Sequence, residues 1–358
     1  MYVEALVLYL LTWITVAYQP QNLTKIKPNS ILIFPLKGSV PDGHYTTTLS
    51  IGHPPSDYVL NIDTGSDLTW VRCKSAEAPP HPFIPGKQGS VVVRRDDPEC
   101  KALGTIRTPL DPETCDYKIT YDDGTSTMGI LVTDVVHFKT RNGRWVNPQL
   151  PFGCGYGKAH RNQTMKDGVL GLAGAESSIL RQLRKSGQIS NNAVGHCLSS
   201  KGGGYLFLGE PPLLATWTPI QRNNGYYSLG SAKILFGGKD IFGGKGTNKP
   251  DLNIIFDSGS TYTYLMDQAY NALLDRINRN VGRRLTLATD DHYLPICWRG
   301  PFDSVDKKKW NVCLGLLNGK KFGLDFQNVI GDISMQDKLV IYDNERMVVG
   351  WVAVNKCN

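Results

Sequence analysis

Short stretches in which apolar and polar residues alternate, separated by turn residues, run through most of this chain. One stretch spans 44–51 (His-Tyr-Thr-Thr-Thr-Leu-Ser-Ile), and another follows an apolar run at 58–60 and continues from Leu68 through Trp70. Alternation that is enriched in β-branched and aromatic residues predicts strands with one buried face. The 37 glycines and 21 prolines also favour a protein of strands and turns over a helical one.

One turn sequence occurs twice, once in each half of the chain. Asp-Thr-Gly-Ser at 63–66 follows an apolar strand pattern, and so does Asp-Ser-Gly-Ser at 257–260. A single turn of this kind is weak evidence, because Asp, Ser and Gly are ordinary turn residues. Two of them predict a protein of two lobes, each presenting one carboxylate, Asp63 or Asp257, to a shared cleft.

Two carboxyl groups that lie close together have a specific chemistry. They cannot both ionise comfortably, so they share a proton, and one acts as a base while the other acts as an acid. A water held between them can then attack a bound amide without a metal or a covalent intermediate. The glycine of each turn lets backbone approach backbone closely, and the hydroxyls can orient the carboxylates.

A hairpin is predicted in the first half. Tyr117, Ile119 and Tyr121 alternate into an Asp-Asp-Gly sequence at 122–124, which is a strong turn signal. The hairpin is either a surface hairpin with one core face or a flap that closes over a substrate. The two Asp turns favour the flap.

Two helices interrupt the strand pattern. One is expected at about 177–187, where apolar residues share a face and a glycine can end the helix. The segment 74–112 contains several prolines and is expected to be a loop. The second helix starts near Asp267, and its residues at helical spacing are expected in the core: Tyr270, Leu273, Leu274, Ile277 and Val281.

Together these motifs resemble the pepsin-like aspartic protease family, and more closely its plant nucellin-like branch. The resemblance covers the chain from about Phe34 to the C-terminus. Tyr121 is similar to the flap tyrosine of the family, and Trp70 to the hydrogen-bond partner of that tyrosine. The other matching segments are 167–172 and 329–332, similar to those that pack beneath each catalytic turn, and 152–155 and 330–337, which are typical of the branch.

The resemblance implies an all-β, bilobal fold with a few short helices, in which two barrel-like lobes flank a cleft. It also implies a monomeric aspartic endopeptidase that cleaves polypeptides at acidic pH, binds pepstatin-like inhibitors and uses no metal or cofactor. Thr64 and Ser258 would lock the two turns together. The implied dyad is Asp63 and Asp257, its supporting residues are Thr64, Gly65, Ser66, Ser258, Gly259 and Ser260, and the flap residues are Tyr121, Trp70, Asp123 and Gly124.

The chain is expected to divide into four segments. An apolar block predicts a signal peptide at 1–17, although the block lacks a preceding basic residue and a stray apolar terminus is the alternative. Residues 18–33 are expected to be a short leader, either a flexible segment or a prosegment. The lobes are expected at 34–210 and 211–358, and the second is shortened near 310–311.

Eight cysteines, an even number, indicate an oxidising compartment. Their spacing does not fit a zinc site. Cys297 is expected to pair with Cys313, because both lie in the second lobe at short separation. Cys73 is expected to pair with Cys100 or Cys115 in the first lobe.

Charge and hydropathy restrict partners and location. The net charge of +7 is modest and its basic residues are scattered, so nucleic acid is not an expected partner. No segment after the N-terminal block is long and apolar enough for a membrane span, so stable membrane association is not expected either. The expected location is the secretory pathway, ending in the apoplast or the vacuole. Asn22 and Asn162 would then be candidate glycosylation sites.

The second lobe carries one feature that argues against activity. Asp63 lies 108 residues before Gly171, whereas Asp257 lies only 74 before Gly331. The junction at 309–313 is also abrupt beside nucellin-like relatives. The alternative function is therefore a catalytically silent binding or inhibitor protein on the same fold, or a truncated inactive variant.

Overall fold

The computed structural model describes residues 31–74, 82–86, 89–103, 112–156, 167–211, 216–223, 226–242, 252–280, 285–290, 294–300 and 311–357. The predicted signal peptide, most of the leader, both glycosylation candidates and the junction residues 309–310 lie outside these ranges. The described part consists mainly of strands, which confirms the predicted all-β class. None of its helices has the length and apolar character that crossing a bilayer requires.

The strands and helices follow one another in chain order. In the first half the strands are β1 Leu32–Ser39, β2 His44–Ile51, β3 Ser56–Asp63, β4 Trp70–Arg72, β5 Val91–Val92, β6 Asp116–Thr120, β7 Ser126–Lys139, β8 Trp145–Val146, β9 Gln149–Gly155, β10 Gly168–Gly171, β11 Ala193–Leu198 and β12 Gly204–Leu208. In the second half they are β13 Thr216–Pro219, β14 Gln221–Asn223, β15 Tyr226–Ala232, β16 Leu235–Phe236, β17 Lys239–Asp240, β18 Leu252–Phe256, β19 Thr263–Leu265, β20 Thr286–Leu287, β21 Cys297–Arg299, β22 Asn311–Cys313, β23 Leu316–Asn318, β24 Asn328–Ile330, β25 Lys338–Asp343 and β26 Val348–Ala353. The helices are α1 Pro98–Leu103, α2 Ile179–Lys185, α3 Asp267–Asn280 and α4 Asp332–Met335.

Six strands of the first half close into a barrel-like ring. Its order is β2, β3, β10, β4, β9 and β7, and β7 pairs back with β2. The 14-residue strand β7 extends beyond the ring and pairs with β6 to form the predicted hairpin. Burial alternates along β7 on either side of Leu131 and Val132, as the period of two along a strand requires, and these two neighbours are both buried.

Each Asp turn is held by the same arrangement of three strands. In the first half, β10 pairs in parallel with β3 and antiparallel with β4, so that Gly171 lies opposite Asp63. In the second half, β24 pairs in parallel with β18 and antiparallel with β19, and Ile330 lies opposite Phe256. The segments predicted to lie beneath the two turns, 167–172 and 329–332, supply β10 and β24.

A shared sheet joins the two halves of the chain. Its order is β13, β26, β25, β11, β12 and β1, so strands from both sides of the proposed 210/211 boundary pair directly. The first strand of this sheet, β1, begins at Leu32, within the segment 18–33 that is expected to be the leader. That residue is fully buried and pairs with Leu208.

The buried apolar side chains follow this architecture. The largest cluster runs from the first-half ring into the shared sheet and includes Leu60, Leu170, Val340 and Val349. A separate cluster in the second half surrounds α3, where Tyr270, Leu273 and Ile277 are buried. Burying one such side chain is worth about 1.5–3 kcal/mol relative to leaving it exposed. The core of the first half therefore depends on strands that come from the end of the chain.

The eight cysteines form four disulfides. Cys297 pairs with Cys313 as predicted, and these residues lie directly opposite each other on β21 and β22. The pairing predicted for Cys73 is wrong, because its partner is Cys154. Strands β4 and β9 run side by side in parallel, and sequence distance alone does not reveal this contact between residues separated by 81 positions. The other two pairs are Cys100 with Cys115 and Cys197 with Cys357.

The helix predictions were mostly correct. Helix α2 is capped by the Ser178 hydroxyl, which accepts from the Arg181 N–H, and α3 starts at the predicted Asp267. Val281 lies outside the described residues.

The proline-rich segment 74–112 is not entirely a loop, because it contains β5 and α1. A proline occupies the first position of α1, where its missing N–H has no helical partner to lose.

Candidate active site

Asp63 and Asp257 each lie in the same set of hydrogen bonds. The Gly65 N–H donates to Oδ1 of Asp63 at 2.8 Å, and the Ser66 hydroxyl donates to Oδ2 at 2.5 Å. In the other turn the Gly259 N–H donates to Oδ1 of Asp257 at 2.8 Å, and the Ser260 hydroxyl donates to Oδ2 at 2.6 Å. Both carboxyl planes are therefore fixed by the turn that carries them.

The glycine of each turn lies against the aspartate of the other. A Cβ built on Gly65 would lie 2.6 Å from Oδ1 of Asp257. A Cβ built on Gly259 would lie 2.5 Å from Oδ1 of Asp63 and 3.1 Å from Oδ1 of Asp257. The two inner carboxyl oxygens thus flank one point, and a side chain larger than hydrogen at either glycine would separate the carboxyl groups.

Thr64 and Ser258 join the two turns beneath the carboxyl groups. The Thr64 N–H donates to the Ser258 hydroxyl at 3.1 Å, and the Ser258 N–H donates to the Thr64 hydroxyl at 2.9 Å. Each hydroxyl also donates to a strand carbonyl of the other half, at Phe256 and Ile62 respectively. Both residues are fully or almost fully buried, so these bonds are shielded from water.

The electrostatics of the pair favour one bound proton. Burial raises the pKa of Asp63 well above its usual range, and the charge of Asp257 raises it further. The hydrogen bonds from Ser66 and Gly65 offset part of this rise. Since Asp63 is only 7% exposed and Asp257 is partly exposed, the proton is better placed on Asp63.

A third carboxyl group lies behind the pair. Asp332, at the start of α4, is 1% exposed, and neither of its carboxyl oxygens has a hydrogen-bond partner among the described residues. Burial raises the pKa of Asp332 well above its usual range, with further contributions from the charges of Asp257 and Asp63. Its environment therefore favours the neutral acid.

The hairpin of β6 and β7 covers one side of the cleft. The Trp70 indole N–H donates to the Tyr121 hydroxyl at 2.7 Å, which fixes the tyrosine ring at the base of the turn. The turn itself is closed by Asp123, whose Oδ1 accepts from both the N–H and the hydroxyl of Thr125. Gly124 adopts a positive φ of 81°, which explains a glycine at the tip.

A cleft of about 700 Å³ lies between the hairpin and the two Asp turns. Of the predicted site residues, those that line it are Asp63, Gly65, Ser66, Tyr121, Asp123, Asp257, Gly259 and Ser260. Thr64, Ser258 and Trp70 lie behind this lining and hold it in place, while Gly124 forms the turn outside it.

Sequence reasoning missed several residues of the site. Asp67, Asp122, Tyr226 and Tyr264 also line the cleft, and Asp332 lies behind it. The signal for Asp332 was visible as a single acidic residue inside an otherwise apolar segment. No comparable signal marks Tyr226, because its position depends on the pairing of β15 with β18.

Sequence comparison finds plant relatives along most of the chain. An aspartic proteinase of Oryza sativa subsp. japonica is 35% identical over 386 aligned positions, covering 92% of this chain and 92% of the relative. Aspartic proteinase 36 of Arabidopsis thaliana is 27% identical over 364 positions, covering 87% of this chain and 74% of the relative. The alignment to the rice proteinase is longer than this chain of 358 residues, so the rice protein has residues for which this chain has no counterpart.

Two further comparisons concern the domain type and the fold. A family profile described as Xylanase inhibitor N-terminal matches residues 45–210. The crystal structure of basic 7S globulin from soybean superposes with a TM-score of 0.70 at 17% identity, covering 90% of this chain and 94% of that one. At this identity the superposition shows a shared fold.

Proposed function

Because this chain belongs to the pepsin-like aspartic proteinases of plants, we propose that it is an endopeptidase in which Asp63 and Asp257 activate a water molecule. The observation that carries the proposal is the matching hydrogen-bond set of the two carboxyl groups. Each accepts one backbone N–H at 2.8 Å and one serine hydroxyl at 2.5–2.6 Å. Two aspartates that served only as turn formers would not need to face each other across a cleft.

The proposed reaction assigns one role to each carboxyl group. Asp257 takes a proton from the water, which attacks the carbonyl carbon, while Asp63 gives its proton to the carbonyl oxygen. The tetrahedral diol then collapses: Asp257 returns its proton to the departing nitrogen, and Asp63 recovers one from the diol. The C–N bond breaks, an acid and an amine leave, and both aspartates regain their starting protonation states. The more buried position of Asp63 supports its role as the acid.

The hairpin supports the reaction by shaping the cleft. Tyr121 and Trp70 hold its base, and closure of its tip over a bound polypeptide would exclude bulk water from the reacting amide. Such a site has no need of a metal or cofactor.

We further propose that the chain works as a monomer in the apoplast or vacuole, where its four disulfides would persist.

A second candidate is a silent binding or inhibitor protein. Two observations favour it: the family profile that matches residues 45–210 is named for a xylanase inhibitor, and the chain lacks residues present in the rice relative. In this case the cleft would bind a polypeptide or another protein without cleaving it. The intact carboxyl pair favours the protease.

The deciding experiment measures cleavage of a denatured protein substrate between pH about 3 and pH about 7, with and without pepstatin. Asp63→Asn and Asp257→Asn keep the shape of the site and remove the shared proton. Asp275→Asn, on the exposed face of α3, is the matched control for a lost charge. Circular dichroism and thiol titration establish that each preparation is folded and disulfide-bonded, and gel filtration reports the oligomeric state.

We expect acid activity that pepstatin abolishes, and a loss of about 10²–10⁴-fold or more in either site variant but not in Asp275→Asn. Activity should fall once the proton of Asp63 is lost, and the raised pKa of Asp63, about 8, places that fall above the tested pH range. A folded wild-type preparation without activity would reject the protease in favour of the binding protein. N-terminal sequencing of the secreted product would test the proposed signal peptide.

A further inference from the structure

The cleft is acidic although the chain carries a net charge of +7. Its lining includes one lysine, Lys118, and no arginine among the described residues. Five carboxyl groups line the same space: Asp63, Asp67, Asp122, Asp123 and Asp257. The sign of the cleft is thus opposite to that of the whole molecule, which is how a surface selects positively charged ligands.

Four of these five carboxyl groups already have partners. The Gly and Ser donors of the two turns satisfy Asp63 and Asp257. Asp67 accepts from the Ala175 N–H at 2.8 Å, and Asp123 accepts from Thr125. Asp122 accepts no side-chain or backbone hydrogen bond within the described ranges, and no lysine or arginine there lies within salt-bridge distance of it.

Asp122 lies at the tip of the hairpin, where it is exposed and lines the cleft together with Asp257. Partial burial raises the pKa of its carboxyl group above the usual range, and the charges of Asp257 and Asp123 raise it further. The pKa of Tyr226 is also raised. Burial is the largest cause, followed by the charge of Asp122 and then by the charges of Asp257, Asp63 and Asp67. Asp122, Tyr226 and Asp257 all line this cleft, so the charge of Asp122 acts in the space that a bound polypeptide would occupy.

We propose that Asp122 is a specificity-determining residue that selects a lysine or arginine side chain next to the scissile bond. The proposal rests on the proposed function of the same cleft. A polypeptide under the hairpin would remove water from the Asp122 carboxylate, and an apolar substrate side chain would leave that charge without a partner. A basic side chain supplies the missing donor and also lowers the repulsion among the neighbouring carboxylates.

Binding of uncleavable peptides tests this selection without requiring turnover. Two short peptides carry a hydroxyethylene group in place of the scissile amide and differ only in one flanking residue, which is lysine or norleucine. Norleucine keeps the length of the lysine side chain and removes its charge. A second pair places the same exchange on the other side of the isostere. Dissociation constants are measured at pH about 6 and pH about 3, which bracket the titration of an exposed carboxyl group.

Three proteins are compared: the wild type, Asp122→Asn and Asp275→Asn. We expect the lysine peptide to bind the wild type about threefold to fivefold more tightly than the norleucine peptide at pH about 6, in one of the two pairs, as for other partly exposed ion pairs. The preference should shrink at pH about 3, where Asp122 is protonated. It should be largely lost in Asp122→Asn and kept in Asp275→Asn, which removes an equal charge away from the cleft.

The outcomes separate this inference from the function on which it rests. If norleucine peptides bind the folded wild type as tightly as lysine peptides, or if Asp122→Asn keeps the lysine preference, Asp122 does not set specificity and the cleft remains a peptide site. If none of the peptides binds a folded preparation, the proposed function itself is wrong.

Discussion

Thr64 and Ser258 exchange hydrogen bonds across the junction of the two halves, each backbone N–H donating to the hydroxyl of the other residue. The two catalytic candidates are neighbours of these residues in the chain, so the position of one carboxyl group depends on the turn that carries the other. The geometry of the pair is therefore a property of the whole molecule and not of either lobe.

Replacing Thr64 with valine tests this dependence. Valine keeps the shape of the side chain and removes the oxygen that accepts the Ser258 N–H, leaving a buried donor unpaired. We expect a loss of about 1–3 kcal/mol in the free energy of unfolding, measured by urea denaturation, together with lower activity. Thr48→Val, on the exposed face of β2, is the matched control. Equal stability of the two variants would contradict a locking role.

The Tyr121 hydroxyl offers a test of the flap. Tyr121→Phe removes the acceptor of the Trp70 N–H while keeping the ring. We expect a decrease of about tenfold in kcat/KM, corresponding to about 1.4 kcal/mol, and a lower thermal stability because the Trp70 N–H loses its acceptor. Tyr156→Phe, at a tyrosine that is 40% exposed, serves as the control. If both variants cleave peptides like the wild type, the bond does not position the flap.

Much of the site was predictable, because the signals for its central residues are local. Asp63 and Asp257 lie in a repeated turn, and Tyr121 lies beside an Asp-Gly turn, so a few adjacent residues identify them. The disulfide of Cys73 and the shared sheet were not predictable in the same way. Both depend on which strands become neighbours, and β4 and β9 are separated in the chain by the hairpin of β6 and β7.

The buried carboxyl group of Asp332 should make the free energy of unfolding depend on pH. The folded protein holds the proton of this buried carboxyl group to a higher pH than the unfolded chain does. Raising the pH above about 4 therefore favours unfolding. We expect Asp332→Asn, which cannot ionise, to lose less stability between pH about 4 and pH about 7 than the wild type.

Differential scanning fluorimetry across this range measures the effect of the substitution at Asp332. Asp325→Asn, at an exposed position of the same half, provides the comparison. Parallel curves for the wild type and Asp332→Asn would show that Asp332 ionises in the folded protein as freely as in the unfolded chain.

The buried imidazole of His196 should change the free energy of unfolding with pH in the opposite direction. It is fully buried in β11, its Nε2 lies 3.2 Å from the Tyr342 hydroxyl, and its Nδ1 has no partner among the described residues. Burial lowers the pKa of His196 to about 3. The unfolded chain accepts a proton that the folded protein excludes, so stability is lost as the pH falls from about 6.5 toward about 3.

His196→Gln removes this titration and keeps a hydrogen-bonding side chain. Between pH about 7 and pH about 4, we expect the wild type to lose up to about 3 kcal/mol of its free energy of unfolding through His196. The variant should not show this loss. Urea midpoints at both pH values measure it, with the exposed His53→Gln as the control. A loss of the same size in His196→Gln would assign the acid sensitivity to other groups.

The pairing of Cys197 with Cys357 has a consequence for how the chain is made. Cys197 lies on β11, at the centre of the shared sheet, while Cys357 is the last cysteine of the sequence. During synthesis the first half of the chain leaves the ribosome before Cys357 has been made, so the Cys197 thiol has no partner yet. The edge of β11 that pairs with β25 in the folded protein is also still unpaired. Oxidation before Cys357 has been made can only pair Cys197 wrongly, so correct maturation requires that this thiol stay reduced until that part of the chain is available.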